Sequence, residues 1–284
     1  MPSLVHPIQI RKYKNNLHEE KQDLVAVEEP LEIRLGFGPE EERQQKSLAI
    51  TMRTPGHDLE LVIGFLSTEG IIQRQDEITY INHCKDHRGE ESENVVRVEL
   101  KPEKSLNWQD LQRHFYTNSS CGICGKASIE TLEKLCPVPV SATVTVFADV
   151  LHNLPDKMRQ AQNVFEYTGG LHAAALFTAT GELLLMREDI GRHNALDKII
   201  GAALSSNLVP LHSHIVVLSG RSCFELVQKA VMAGVPVVSA VGAPSSLAVK
   251  TAEKLGVTLL GFSRNNGFNV YSNAYRINEN QNTK

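Results

Sequence analysis

The stretch that decides the fold is Ile215–Ala240, which reads IVVLSGRSCFELVQKAVMAGVPVVSA. It begins with a short apolar run, continues through a polar turn into a helical pattern, and ends in a second valine-rich run. Because buried parallel strands are apolar on both faces and are joined by helices, this order predicts a strand–helix–strand unit. A further helix and strand follow as far as Phe262, so we expect an α/β layer around a partly parallel sheet.

Two more elements precede this unit. Residues 147–164 are mainly helical in pattern, and we expect an interruption near Pro155, because proline cannot donate a helical hydrogen bond. Two apolar runs follow, over residues 172–178 and 182–187, and the Thr-Gly pair between them predicts a hairpin. The C-terminal part of the chain is therefore expected to be an α/β domain.

The first half of the chain has a different pattern. Residues 32–37 and 47–53 alternate between apolar and polar side chains and predict two strands. A helix is expected over residues 58–70, where glycine stops it. Residues 1–22 are polar and charged, and we expect them to form a loose tail.

A domain boundary is predicted at Pro137 and Pro139, which end a helical pattern. We expect a smaller mixed α+β region over residues 23–137 and a larger α/β domain over residues 138–284.

The composition excludes several classes of function. The 284 residues include 29 Lys and Arg and 33 Asp and Glu, so no charge excess points to nucleic acid or to an anionic membrane. No apolar run reaches the roughly 20 residues of a membrane span. The N-terminus lacks the pattern of a signal peptide, and five cysteines fit a reducing compartment better than a disulfide framework. We therefore expect a cytoplasmic protein.

Cys121 and Cys124 form a CxxC pair in the polar segment Ser119–Gly125. Such a pair can be a redox couple, half of a metal site or a carrier of sulfur. A structural zinc site usually needs a second pair of ligands, which the sequence lacks, and a thioredoxin-type couple usually follows a strand directly. Reactive thiol chemistry on a loop is favoured, because a helix N-terminus and Lys126 would promote the thiolate, which can attack a persulfide. No bound metal is expected.

Polar turns rich in glycine and serine follow the strands of the larger domain, and one more precedes the predicted hairpin. Glycine allows a backbone to approach a ligand closely, serine and arginine donate hydrogen bonds, and helix N-termini favour anions. Because ligands collect at the carboxyl ends of parallel strands, we expect a pocket for a large phosphorylated ligand there. The turns are residues 168–172, 188–194, 219–222, 242–246 and 263–267.

One of these turns also contains groups that could exchange protons, namely Glu188, Asp189, Arg192 and His193. The same groups could equally form a structural ion-pair network beside a helix start. Cys223 is a rival nucleophile to the thiol pair, but we interpret it as a small cysteine packed against the sheet.

From about Glu28 to Tyr271 the chain resembles the formate dehydrogenase accessory sulfurtransferase family. The most specific motif is EDIGRHNALDK at Glu188–Lys198, and SCGICG at Ser120–Gly125 contains the thiol pair. Further segments that carry the resemblance are residues 29–35, 52–66, 168–172, 219–222, 234–240 and 261–264.

This resemblance implies a sulfurtransferase, a sulfur carrier that is required for formate dehydrogenase activity. A cysteine desulfurase would load sulfur onto Cys121 as a persulfide, and Cys124 would be the second thiol of the motif. The sulfur would pass to the molybdenum cofactor, in its bis-molybdopterin guanine dinucleotide form, before insertion into the catalytic subunit of formate dehydrogenase. The alternative is a chaperone that binds the cofactor or the apo-enzyme without carrying sulfur.

The resemblance also implies a homodimer, a larger domain similar to the cytidine deaminase fold, and a binding segment for the guanine dinucleotide. The two zinc motifs of such deaminases are incomplete, since His172 is followed by two alanines and Cys223 has no second cysteine, so deamination is not expected. The implied guanine-binding residues are Phe262, Ser263, Arg264, Asn265, Asn266 and Gly267.

Overall fold

The computed structural model describes residues 4–85, 91–104, 106, 108, 140, 143–264 and 267–279. The helices in these ranges are α1 (Asp58–Thr68), α2 (Ala148–Ala161), α3 (Asn163–Thr168), α4 (Arg192–Ser205), α5 (Phe224–Met232) and α6 (Ser246–Lys254). The strands are β1 (Val5–Lys14), β2 (Leu17–Ala26), β3 (Glu29–Phe37), β4 (Gln44–Arg53), β5 (Ile78–Lys85), β6 (Glu91–Leu100), β7 (Val146–Phe147), β8 (His172–Thr178), β9 (Leu183–Asp189), β10 (His214–Leu218), β11 (Val237–Ala240), β12 (Thr258–Arg264), β13 (Gly267–Ser272) and β14 (Ile277–Asn278).

A six-stranded sheet forms the centre of the C-terminal part, in the order β13-β12-β11-β10-β8-β9. β10, β11 and β12 are parallel, and the other neighbours are antiparallel. Val216 and Leu218 pack with α4, α5 and α6, whereas Ile215 and Val217 pack with α2 on the opposite face. Apolar side chains on both faces explain the unbroken valine-rich runs. The predicted α/β class and the predicted hairpin, β8–β9, are confirmed.

The first half contains a four-stranded sheet in the order β4-β3-β6-β5. β3 is antiparallel to β4 and parallel to β6. α1 covers one face, where Leu61, Val62 and Leu66 pack on Leu31 and Val96. The mixed α+β pattern predicted for this region is confirmed, while the proposed domain limits remain a prediction.

Two helices join the halves at a pair of glycines. A Cβ atom on Gly64 of α1 would lie 1.8 Å from the backbone oxygen of Asp197, and one on Gly201 of α4 would lie 1.8 Å from the backbone oxygen of Glu60. Only a residue without a side chain fits where two helix backbones approach so closely. The α1–α4 crossing therefore fixes the position of α4, whose N-terminus lies at the sheet edge discussed below.

Buried ion pairs reinforce this join. Lys229 of α5 lies 2.9 Å from Asp197 of α4 and donates to the Thr68 hydroxyl of α1 at 2.8 Å. Lys198 pairs with Asp189 at 2.7 Å, and both side chains are almost fully buried. Each of these four buried charges thus has an opposite charge beside it, as burial requires.

The structure corrects the prediction of a loose tail at residues 1–22. β1 and β2 form a ten-pair antiparallel hairpin whose turn residues, Asn15 and Asn16, have φ angles of 49° and 63°. Asparagine tolerates positive φ, and two such residues make the tight turn that suits a twisted hairpin. β2 packs against α3, and this contact holds the polar hairpin against the larger domain.

The interruption expected near Pro155 is also wrong. α2 runs through Pro155 and ends at Ala161, and α3 begins two residues later. Proline removes one backbone hydrogen bond, but Leu151, Leu154 and Met158 bury the same face of the helix against the sheet. That packing keeps the helix continuous. No helix among the described residues is long and apolar enough to span a membrane.

Candidate functional site

Four of the predicted polar turns meet at one edge of the six-stranded sheet. The parallel strands β10, β11 and β12 end there, and β8, which runs the other way, begins there. Backbone hydrogen bonds join the turns, because Gly242 N donates to Gly220 O at 3.0 Å and Phe262 N donates to Gly242 O at 3.2 Å. The expectation that strand ends would bring these turns together is confirmed.

A cavity of about 790 Å³ opens at this edge, a volume typical of sites for small organic ligands. The turns form one wall, and α2 with the residues that follow it forms the other. The sequence predicted the first wall but not the second. Residues that line the cavity include Arg159, Gln162, His172, Ser219, Ser263 and Arg264.

Two arginines and one buried amide give the cavity its polarity. The Arg159 guanidinium lies 4.5 Å from the centroid of the Phe165 ring, and within the described residues neither Arg159 nor Arg264 has an ion-pair partner. Gln162 is 3% exposed, and its Nε2 has no hydrogen-bond partner in the described structure. A buried donor without a partner costs about 1–3 kcal/mol. An acceptor on a ligand in the cavity would recover that energy.

The predicted guanine-binding segment enters the cavity in part. Ser263 and Arg264 line it, and the Ser263 hydroxyl accepts a hydrogen bond from Ser239 at 2.8 Å. Phe262 is 46% exposed and has a φ of 54°, which is strained for a residue with a Cβ atom. Gly267 begins β13, where a Cβ atom would meet nothing within 4 Å. Asn265 and Asn266 lie outside the described residues.

The turns at this edge also contain a neutral histidine and two donors without a hydrogen-bond partner. Burial lowers the pKa of His172, and the positive charge of Arg192 lowers it further, so this cavity residue is neutral near pH 7. Arg192 Nε and Ser222 Oγ are buried, and neither has a hydrogen-bond partner in the described part of the chain. A Cβ atom on Gly220 would lie 3.1 Å from the His172 ring, which explains the glycine there.

The two carboxylates of the predicted acid–base group have structural roles. Glu188 accepts hydrogen bonds from the backbone of Val164 and Phe165 and so caps α3. Asp189 is fully buried, pairs with Lys198 and accepts from Gly191 N. Of the two interpretations left open by the sequence, the structure favours the ion-pair network for these residues.

His193 instead joins a cluster that the sequence did not predict. Its Nε2 lies 3.1 Å from Cys223 Sγ, and Cys223 donates to Glu225 at 2.9 Å. Burial opposes the charge of His193, but hydrogen bonds to Cys223 and Glu225 outweigh it and raise its pKa to about 9. The hydrogen bond from His193 lowers the pKa of Glu225 to about 2. Cys223 packs against the apolar core of the large sheet, as interpreted from the sequence, and its half-buried thiol also contacts these two polar groups, which the sequence did not predict.

Cys121 and Cys124, the predicted carriers of sulfur, lie outside the described residues. Their proposed chemistry therefore depends on the sequence alone.

Comparison with known proteins identifies a family that matches most of the chain. The model of the FdhD/NarQ family matches residues 26–278. The sulfur carrier protein FdhD of Nocardia farcinica is 49% identical, over 90% of this chain and 89% of that protein. The sulfur carrier protein FdhD of Sulfurisphaera tokodaii is 41% identical, over 96% of this chain and 99% of that protein.

One solved structure has the same overall fold. A protein described as a formate dehydrogenase accessory protein, from Desulfotalea psychrophila, is similar with a TM-score of 0.75. The alignment covers 97% of this chain and 100% of that protein at 23% identity, so it supports the fold.

Proposed function

The chain belongs to the FdhD/NarQ family, and we propose from this premise that it is a sulfurtransferase that carries sulfur for the maturation of formate dehydrogenase. Its relatives in Nocardia farcinica and Sulfurisphaera tokodaii are named as sulfur carriers, and the protein of similar fold is named as a formate dehydrogenase accessory protein. In this proposal the thiol pair carries the sulfur and the cavity binds the molecule that receives it.

Sulfur enters at the thiol pair. A persulfide on a cysteine desulfurase is the donor, and the Cys121 thiolate attacks its outer sulfur. The bond between the two donor sulfurs breaks, the desulfurase cysteine leaves as a thiolate, and Cys121 holds the persulfide. Cys124, three residues further along the chain, attacks the inner sulfur of that persulfide, so that the outer sulfur leaves as sulfide and a Cys121–Cys124 disulfide is formed.

The recipient is the molybdenum cofactor in its bis-molybdopterin guanine dinucleotide form, and the cavity at the sheet edge is the single observation that supports it most. Arg159 and Arg264 offer positive charge for phosphate, and Gln162 offers an unpaired amide for a polar base. A volume of about 790 Å³ suits one nucleotide end of this ligand rather than the whole of it.

Intact-mass spectrometry tests the loading step. After incubation with a cysteine desulfurase and cysteine, we expect the wild-type protein to gain the mass of a sulfur atom and the Cys121→Ala variant to gain none. Cys84→Ala is the matched control, since Cys84 is half-buried in β5 and distant in sequence from the thiol pair. Loading of Cys121→Ala at the wild-type level would contradict the assignment.

A second function is a chaperone that binds the cofactor or the apo-enzyme without carrying sulfur. The cavity favours it, because no cysteine is among the described residues that line it. Cells that lack this protein should recover formate dehydrogenase activity with a Cys121→Ala/Cys124→Ala variant if it is a chaperone. They should not recover activity if it is a sulfur carrier.

The remaining parts of the proposal concern assembly and location. We propose a cytoplasmic homodimer that contacts the desulfurase and the catalytic subunit of formate dehydrogenase. Light scattering of the purified protein should give twice the mass of one chain, and a monomer at micromolar concentration would contradict the dimer.

A further inference from the structure

Three metal-ligating side chains from two helix starts converge beside the cavity. His193 lies in the first turn of α4, Cys223 is the N-cap of α5, and Glu225 lies in the first turn of α5. Sγ lies 3.1 Å from His193 Nε2 and 2.9 Å from Glu225 Oε2, and the imidazole and carboxylate are 3.5 Å apart. No other set of three such atoms within 4.8 Å of one another occurs in the described ranges.

We propose that His193, Cys223 and Glu225 form a binding site for Zn²⁺. Thiolate, imidazole and carboxylate are all zinc ligands, and the thiolate–imidazole combination favours zinc over magnesium or calcium. The site goes beyond sulfur carriage by the thiol pair and does not depend on it. It also departs from the sequence-based expectation of no metal.

The geometry needs little change to receive the ion. Zinc bonds of about 2.3 Å to sulfur, and of about 2.0–2.2 Å to nitrogen and oxygen, place tetrahedral ligands roughly 3.3–3.6 Å apart. The observed separations of 2.9–3.5 Å require the side chains to move apart by up to about 0.7 Å. The side chains of His193 and Glu225 are 34% and 40% exposed, so an ion can enter from solvent.

The negative charges of Cys223 and Glu225 favour a metal site over a reactive thiolate. A Cys223 thiolate would face the Glu225 carboxylate at 2.9 Å, and two anions at that distance repel each other. A divalent cation between them balances both charges, and the His193 imidazole, after releasing its proton to solvent, completes a set of three protein ligands. Three protein ligands leave one tetrahedral position for water or a substrate atom, as in catalytic zinc sites.

Cobalt titration of the full-length chain tests this site without interference from the thiol pair. The starting variant is Cys121→Ser/Cys124→Ser, which removes the CxxC thiols and leaves the cluster intact. We expect it to bind one equivalent of Co²⁺, with tetrahedral d–d bands and a single thiolate charge-transfer band, and to release the Co²⁺ to Zn²⁺.

Substitutions in that background assign the ligands. Cys223→Ser should abolish the charge-transfer band, and His193→Gln should weaken binding by about 100-fold or more, since even outer-shell changes cost about 10–100-fold. Cys84→Ser should change nothing. Cys223→Asp, which retains an anionic ligand and a good N-cap, should still bind Co²⁺ but lack the thiolate band. Circular dichroism confirms that each variant is folded.

The opposite results would overturn the site. Absence of stoichiometric cobalt binding in the starting variant contradicts it, and so does a charge-transfer band that persists in folded Cys223→Ser. Because Cys121 is already substituted in this background, failure here leaves the persulfide-loading experiment unaffected.

Discussion

Replacing Gly64 by alanine tests how the two halves of the chain are joined. A Cβ atom there would lie 1.8 Å from Asp197 O, whereas ordinary contact begins at 3.4 Å, so α1 and α4 would have to separate by about 1.6 Å. Overpacking of this kind costs about 1–3 kcal/mol, and we expect the upper value because both sides are backbone. Alanine regains about 1 kcal/mol of helix propensity, which leaves a net loss of about 2 kcal/mol.

Urea-induced unfolding, followed by circular dichroism, measures this loss. A destabilisation of about 2 kcal/mol should also lower Tm by roughly 4–8 °C for a chain of this size. Gly170→Ala is the matched control, because its Cβ atom would meet nothing closer than 3.8 Å, and its stability should stay within about 0.5 kcal/mol of wild type. A Gly64→Ala variant as stable as wild type would refute the proposed crossing.

The other predictions concern the cavity, the buried charges and acid stability. Arg264→Ala should weaken binding of GDP, measured by calorimetry, by roughly 10–100-fold through loss of a charge-assisted hydrogen bond, and should still form the persulfide; unchanged affinity would exclude this residue from the site. Lys229→Met should destabilise the fold by about 3–5 kcal/mol, because it leaves the Asp197 carboxylate buried without its partner, and Lys229→Met/Asp197→Leu should recover most of that loss in urea unfolding. Burial disfavours the Glu60 carboxylate, but the hydrogen bonds from Arg187 outweigh it and lower the pKa of Glu60 from 4.5 to about 2. The contribution of Glu60 to the free energy of unfolding is therefore present above pH 4.5 and is lost as the pH falls towards 2. Glu60→Gln should flatten the dependence of that free energy on pH in this interval, and an unchanged dependence would contradict the Glu60–Arg187 pairing.

The architecture could be predicted because its signals are local. The valine-rich runs of the large sheet are apolar on both faces, and the connecting segments have helical periodicity, so order and burial together indicate an α/β layer. The position of the polar turns at one edge then follows from parallel strand direction.

The N-terminal hairpin was missed although a signal was present. Residues 5–14 alternate in polarity only weakly, because most of the ribbon is exposed. The better signal is Asn15–Asn16, a pair that tolerates positive φ at both positions of a two-residue turn.

The second wall of the cavity and the His193 cluster could not be predicted for a different reason. Arg159 and Gln162 reach the site because α2 crosses one face of the sheet, and that placement is set by tertiary packing. His193 and Cys223 are thirty residues apart in sequence and meet where two helices start. No local sequence pattern predicts that these two residues meet, although a glutamate two residues after an N-cap cysteine indicates that Cys223 has a polar neighbour.

Transfer of radiolabelled sulfur tests the central claim most directly. The protein is first loaded by a desulfurase with labelled cysteine, freed of the donor, and then mixed with the guanine dinucleotide form of the molybdenum cofactor and apo-formate dehydrogenase. We predict label on the cofactor in the matured enzyme with the wild-type protein, and none with Cys121→Ala. An active enzyme without labelled sulfur, or equal labelling with both proteins, would contradict the account.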